Sequence, residues 1–522
     1  MRWGTPGALM RRPSGAFSAE AASGLRVLRR GVASDRVRDT PFSFGIPPLR
    51  YISTRQPVPA RETLGFEDVL IAGLAPDGGL YVPTELPVFS AAEMRRFRQL
   101  TYAELAAEVL TPFVGDAFHR DELLGILEDA YAGFDHRAVA PLKQIGSGEF
   151  LLELFHGPTI AFKDYALQVL GRLFDAVLAR RGERVTIVGA TSGDTGSAAI
   201  EACRDRENID IFILYPHGRT SAVQRRQMTT VRSPNVRTLA VEGSFDDCQD
   251  LVKAMFADAP FRDRHRLSAV NSINWARIAA QVVYYFAAAV ALGAPDVPVS
   301  FAVPTGNFGN VYAGHVARSM GLPVAELVIG TNRNDILYRF IETGEMRITS
   351  VEPSLSPSMD IQVSSNFERL LFEVSGRDGA GLAAAMAEFR KTGNLPASRE
   401  TWDKTRSLIK AHRVSDDETR AMIAQVYRET GEMLDPHSAI AVAASRAKGR
   451  KDGTPRVALA CAHPAKFPDV VEEATGRYPA LPAHLADLLS RPERETPVAN
   501  DLNTVEAYIA ANVTGRNEGD RA

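Results

Sequence analysis

Short apolar runs alternate with longer amphipathic stretches through the middle of the chain. Between residues 146 and 345, "RVTIVGA", "DIFILYP", "VRTLAVEG", "VSFAVPT" and "ELVIGT" are strand-like, and most precede a stretch with helical spacing. Strands covered on both faces read as near-continuous apolar runs, so the alternation predicts an α/β core with a doubly wound, mainly parallel sheet. Ahead of it, residues 51–145 form a small, mainly helical domain: "TYAELAAEVLTPFVGD" and "DELLGILEDAYAGF" carry apolar positions at helical intervals after the turn-rich "APDGGLYVPTELP". Residues 346–430 lose the strands and read as a helical insertion entered through "EPSLSPSMD". The strand "RVALACA" at 456–462 brings residues 431–490 back to the core, and 491–522 supply a C-terminal helix and tail.

Composition narrows the function classes. A chain of 522 residues, 45% hydrophobic and 24% charged, is long enough for two or three domains, and its net charge of −3 gives no nucleic-acid or membrane-surface footprint. Cys203, Cys248 and Cys461 lie far apart without CxxC spacing, so neither a disulfide framework nor a zinc knuckle is readable, and a reducing, cytoplasmic setting fits best. The most apolar segment, "QVVYYFAAAVALGA", is shorter than the ~20 residues of a membrane span and reads as a buried helix. Residues 1–50 are a leader: the first 33 carry six arginines and one acid, the composition either of an organellar transit peptide or of a disordered segment.

Ligands of open α/β sheets bind at the carboxyl ends of the strands. Two glycine-rich loops lie there, "GATSGDTGSAA" (Gly189–Ala199) and "VPTGNFGNVYAG" (Val303–Gly314), each leading into a helix. Glycine permits close backbone approach, and a helix start offers free N–H groups and the positive end of its dipole, so phosphate or carboxylate is the natural guest. Neither loop matches a dinucleotide or P-loop signature. Lys163, in "LFHGPTIAFKDYALQVLG", follows apolar Ile160, Ala161 and Phe162 and opens a helix, a setting that works against an ammonium. Taken alone it is equally a lysine that snorkels from a helix end. Together with two anion loops it points to Schiff-base chemistry with a phosphorylated aldehyde, of which pyridoxal phosphate is the common one.

"HGPTIAFKD", "ATSGDTGSAA", "NSINWARI", "PTGNFGN" and "CAHPAKF" occur in the order and approximate spacing of the threonine synthases, and the chain resembles that family from "YISTRQ" to about residue 485. The resemblance implies a fold type II pyridoxal-phosphate enzyme of the longer microbial and fungal branch, with a small N-terminal domain and a helical insertion. It implies Lys163 as the Schiff-base lysine. Gly306, Asn307, Phe308, Gly309 and Asn310 match the family's cofactor-phosphate loop. Ser192, Gly193 and Thr195 match the loop on the substrate side, where Asp194 is expected to serve as a helix cap. Asn271, Ser272, Asn274 and Arg277 match a substrate-phosphate set of neutral donors and one guanidinium fork. His156 either touches a ligand or holds the adjoining turn. The family usually shows threonine where this chain has Cys461, at the strand end facing the pyridine nitrogen; a thiol is likewise neutral but a poorer donor. Gln56 replaces a common glycine in a turn.

The function implied is threonine synthase: a carbon–oxygen lyase that turns O-phospho-L-homoserine and water into L-threonine and phosphate, with Lys163 as general base. Two alternatives stay open from sequence. A related phospholyase would share the motifs and release 2-oxobutyrate, phosphate and ammonia, and a non-catalytic phosphometabolite-binding protein would keep the fold. The partner expected is a small molecule, with neither nucleic acid nor membrane, and the protein is a monomer or homodimer.

Overall fold

The computed structural model describes residues 49–57, 62–269 and 272–514. The expected leader therefore falls almost wholly outside the described residues, as does Asn271. The first strand among the described residues, Tyr51–Ser53, pairs antiparallel with Tyr81–Pro83.

Two sheets carry the core. The first has six strands in the order Ile409–Arg413, Val324–Thr331, Val299–Pro304, Arg456–Ala460, Glu149–Glu153 and Leu142–Gly146, and only the last pair is antiparallel. The second is wholly parallel, in the order Thr496–Val498, Val236–Val241, Ile209–Pro216, Val185–Ala190 and Leu267–Ser268. Its central strand Ile209–Pro216 is buried at every position, as expected for a parallel strand with helices on both faces. The α/β, mainly parallel expectation holds, with two sheets.

Several strands lie where the pattern showed none. Ile409–Arg413 sits within the stretch expected to be helical and joins the first sheet beside Val324–Thr331. Its sequence, "IKAHR", has apolar side chains only at its two buried positions, because an edge strand needs no continuous apolar run. Thr496–Val498 likewise closes an edge of the second sheet. The insertion also carries a short antiparallel pair, Met346–Arg347 with Asn394–Leu395, and helices at Phe367–Val374, Gly379–Thr392, Arg399–Leu408 and Asp416–Thr430.

The apolar "QVVYYFAAAVALGA" lies in the helix Trp275–Ala291, buried almost all round as a core helix must be. Among the described residues no helix is long and apolar enough to cross a membrane. This helix packs against Tyr102–Val114, Lys163–Arg181 and Gly309–Ser319 and so joins the N-terminal helices to the Lys163 helix and to the second glycine loop. The N-terminal segment is fastened to the same core: Tyr51 donates to the Phe113 carbonyl at 2.6 Å, its ring lies 6.0 Å from that of Trp275, and Arg55 grips Glu368 through two hydrogen bonds of 2.9 and 2.7 Å. Gln56 stands in the turn after the first strand.

Candidate active site

Lys163 opens the helix Lys163–Arg181. The segment before it runs beside the end of the central strand of the first sheet: Leu154 N–H donates to Ala460, Phe162 N–H to Cys461, and His463 N–H returns to Ile160, at 2.9, 2.8 and 3.0 Å. Ile160 is fully buried at φ 53°, a left-handed conformation that a β-branched residue keeps only when its surroundings impose it. Asp164 accepts from the N–H and hydroxyl of Thr159 at 2.8 and 2.7 Å. Burial pushes its carboxyl up to about 6, against the pull of Thr159 and Lys466.

The Lys163 amine meets a carboxylate where the sequence suggested an apolar setting: Nζ lies 3.1 Å from Oδ2 of Asp194. Asp194 is therefore no helix cap. Gly193 holds the cap position of the helix Asp194–Cys203 without a side-chain bond, and Thr191 satisfies that end by accepting from the N–H groups of Gly193 and Gly196, both at 2.9 Å. The Asp194 side chain turns inward, where Lys466 Nζ at 2.9 Å and Gln224 Nε2 at 2.9 Å meet Oδ1, and the Ser358 hydroxyl at 3.0 Å shares Oδ2 with Lys163. Burial opposes this charge, yet Lys163 and Lys466, with His437 and Gln224 behind them, hold the carboxyl well below its usual range. Gly193 itself sits at φ 143°, and a Cβ there would come within 2.6 Å of Gln224. Of the neighbouring expected residues, Ser192 is exposed and Thr195 half-buried.

Lys466, Ser358 and Gln224 were missed in the sequence. Lys466 is fully buried, held by Asp194 and by the Thr159 carbonyl at 3.0 Å. It stands within "CAHPAKF", and a lysine flanked by alanine and phenylalanine was the signal available.

The second glycine loop forms a cradle. Gly306 passes so close to the insertion that a Cβ would lie 3.1 Å from Met359 Cα and 3.2 Å from the Ser358 carbonyl, so a larger residue would have to push that backbone aside. The Gly306 carbonyl accepts from Ser364 at 2.7 Å, and the Asn307 carbonyl accepts from the backbone and side chain of Asn366 at 3.1 and 3.0 Å. In a trans peptide N–H and C=O point opposite ways, so anchoring these carbonyls turns the N–H groups of Asn307 and Phe308 to the other side. Phe308, at φ 65° and buried against Phe367 with ring centroids 4.9 Å apart, then opens the helix Gly309–Ser319, whose first N–H groups have no partner within the helix.

Asn310 points elsewhere than the cradle. Its side-chain oxygen lies 2.6 Å from the Tyr284 hydroxyl and 3.0 Å from that of Tyr285, and its amide nitrogen faces Cys461 Sγ at 3.9 Å. Burial, reinforced by Asp435, keeps the Cys461 thiol protonated, well above its usual range.

Arg277 is buried in the first turn of Trp275–Ala291, and its Nε and Nη1 have no hydrogen-bond partner among the described residues. Burial brings the guanidinium down to about 10, which still leaves it charged at neutral pH. A buried cation with unpaired donors is costly unless an anion meets it. Asn274 is engaged at both ends of its amide, capping Ala276 N–H at 3.0 Å and donating to Leu70 at 2.8 Å. The Ser272 carbonyl accepts from Asn366 at 3.2 Å, which ties this segment to the cradle. His156 is clamped between Asp135 and Glu153, 2.8 Å from each; burial works against its charge, but the two carboxylates raise its pKa above the ordinary value.

The site thus combines a buried amine, a glycine-containing backbone loop that opens a helix, and a buried guanidinium with unpaired donors. Three family models divide the chain: "Threonine synthase N terminus" over residues 50–131, "Pyridoxal-phosphate dependent enzyme" over 137–462, and "Threonine synthase, C-terminal" over 438–509. The threonine synthase of Pseudomonas aeruginosa is 56% identical over 463 residues, covering 88% of this chain and 98% of its own. That of Saccharomyces cerevisiae is 42% identical over 461 residues, covering 82% and 89%. Among solved structures, the pyridoxal-phosphate-bound threonine synthase of Brucella melitensis superposes with a TM-score of 0.87 at 53% identity, over 90% of this chain and all of that one. The yeast threonine synthase does so at 0.85 and 38%, over 89% and 99%. Sequence and structure agree over nearly the full length of these relatives, and the chain belongs to the threonine synthase family of pyridoxal-phosphate-dependent enzymes.

Proposed function

We propose that the chain is a threonine synthase, converting O-phospho-L-homoserine and water to L-threonine and phosphate with pyridoxal phosphate held on Lys163. The observation that carries this reading is the buried, unpartnered guanidinium of Arg277, tied through Ser272 and Asn366 to the cradle at Gly306–Asn310. One phosphate belongs to the cofactor in the cradle and the other to the substrate at Arg277. The residues fit the cofactor: Lys163 supplies the amine, the N–H groups of Asn307 to Asn310 the phosphate donors, and Cys461 a neutral group at the pyridine nitrogen.

Bound there, pyridoxal phosphate supplies an aldehyde for covalent attachment and a ring that takes up electron density from the substrate's α carbon. The protein does the rest. Ser192, Gly193 and Thr195 hold the substrate carboxylate, and Arg277, with Ser272 and Asn271, holds its phosphate by charge-assisted bonds. Asn274 is left out of that set because its amide is spent on the helix cap and Leu70. The Lys163 amine removes the α proton and then a β proton as general base, and later returns a proton as the methyl group forms. Asp194 stays ionised and orients that amine. Cys461, kept protonated, adds no charge at the ring nitrogen.

Residues 51–145 serve as an N-terminal domain, 146–345 and 431–490 as the cofactor-binding core, and 346–430 as an insertion that covers the site through Ser358 and Ser364. A cytoplasmic location fits three buried, free cysteines.

Incubation with O-phosphohomoserine and product analysis tests the reading. Threonine and phosphate in equal amounts are expected; 2-oxobutyrate with ammonia would make the protein a phospholyase, and no turnover with bound substrate a binding protein.

A further inference from the structure

Asp194 meets two lysines at opposite oxygens, Lys163 at Oδ2 and Lys466 at Oδ1, 3.1 and 2.9 Å away. All three are buried, Lys466 completely. Two ammonium groups against one carboxylate leave one positive charge over. Lys466 and Asp194 make a complete ion pair by themselves, with the Thr159 carbonyl taking another Lys466 proton at 3.0 Å. Lys163 has a hydrogen bond to Asp194 but no acid of its own. If its amine gives up a proton, the remaining pair is neutral and still hydrogen-bonded. Without Lys466, the same proton loss would leave a buried carboxylate with no counter-charge, an arrangement that low-dielectric surroundings penalise heavily.

We infer that Lys466 is a positioning residue that acts through Asp194 to release the Lys163 amine for reaction: it keeps the carboxylate compensated, so that Asp194 orients Lys163 without holding it as an ammonium. The inference rests on Lys163 being the amine that takes the cofactor. Other groups facing the cluster do not replace Lys466. Gln224 and Ser358 donate to Asp194 at 2.9 and 3.0 Å but are neutral. The Phe162 ring lies 5.1 Å from Lys163 Nζ, and the Cys461 thiol is within electrostatic reach of the same lysine. His437 lies within electrostatic reach of Asp194, but its Nδ1 is bonded to Asp435 at 2.8 Å. Asp164, the other buried acid here, is hydrogen-bonded by Thr159, and the lysine that draws on its charge is Lys466 rather than Lys163.

The test follows the reaction of the ligand-free protein with pyridoxal phosphate across pH. The Lys163 nitrogen forms a double bond to the aldehyde carbon, the aldehyde oxygen leaves as water with the two amine protons, and the product is read as a visible band that borohydride abolishes by reducing the new bond to a secondary amine. Absence of any band with the parent protein overturns the cofactor reading before a variant is made. In Lys466→Met the pH of half-formation rises by about one unit or more, roughly a tenfold loss at fixed neutral pH. In Asp194→Asn it falls, and Lys466→Met combined with Asp194→Asn returns close to the parent, because the carboxylate that needed compensation is gone. An unchanged midpoint in folded Lys466→Met, or a double variant no better than Lys466→Met, overturns the inference. Thermal melts establish folding; Lys466→Gln, which keeps a donor without the charge, replaces a Met variant that does not fold. Should neither fold, Asp194→Asn decides: a downward shift supports the inference and an unmoved midpoint overturns it.

Discussion

The Tyr284 hydroxyl stands 2.6 Å from the side-chain oxygen of Asn310, and this bond turns the Asn310 amide so that its nitrogen faces Cys461. A helix buried in the core thereby sets the orientation of the amide that faces Cys461. Tyr284→Phe removes the donor while keeping the ring's volume, and it is expected to cost about 1 to 2 kcal/mol in urea unfolding because buried acceptors lose a partner. The visible band of the bound cofactor should shift as well. An unchanged band would place Asn310 and Cys461 away from the ring.

Lys163→Ala is expected to abolish turnover and the visible band and to leave the fold intact. Asp194 keeps Lys466 as its partner, so deleting Lys163 strands no buried charge. Absorption, a thermal melt and an assay with O-phosphohomoserine check this together; a folded variant with parental turnover would remove Lys163 from the chemistry.

Arg277→Met should separate function from stability. Losing a charge-assisted contact to the substrate phosphate lowers kcat/KM by about 30- to 1,000-fold, or roughly 2 to 4 kcal/mol. The ligand-free protein, relieved of a buried cation with unpaired donors, should be more stable by about 1 to 3 kcal/mol. Asn307→Ala is expected to weaken pyridoxal phosphate instead. Cofactor titration of both variants checks the assignment, and the opposite pattern would exchange the two phosphate sites.

Asp164 makes stability depend on pH. Its folded value of about 6 lies above its ordinary value of 3.8, so folding favours the protonated form. The contribution is fully present below about 4 and is lost as pH rises through about 6, by up to about 3 kcal/mol. Asp164→Asn cannot ionise, so its stability relative to the parent should improve by that order between pH 4 and 7 in chemical denaturation. A difference constant across the range would mean that Asp164 keeps an ordinary carboxyl.

The parallel strands and both glycine loops were legible because each is a local pattern: "DIFILYP" is one apolar run, and its eight-residue strand Ile209–Pro216 is buried throughout. Lys163 was legible for the same reason. Ile409–Arg413 was not, since an edge strand with two buried apolar positions looks like a loop between helices. Asp194 was misread as a cap because its partners Gln224, Ser358 and Lys466 come from distant segments, and no local rule links them. Asn274 looked like a phosphate donor until Leu70 was found on its amide. That Arg277 has no protein acceptor is a property of packing, which periodicity does not encode.

The strand Arg456–Ala460 occupies the middle of the six-stranded sheet, between Val299–Pro304 and Glu149–Glu153. It also follows the other five strands of that sheet in the chain and is made after them. Until it arrives, two strands made long before it present bare edges to each other across an empty lane, and such edges invite pairing with other chains. The residues just beyond it fasten the segment leading to Lys163 and deliver Lys466. A nascent chain halted at residue 450 would therefore hold both glycine loops, Lys163 and Asp194, and lack the backbone bonds to Leu154, Ile160 and Phe162 and the Lys466 partner of Asp194.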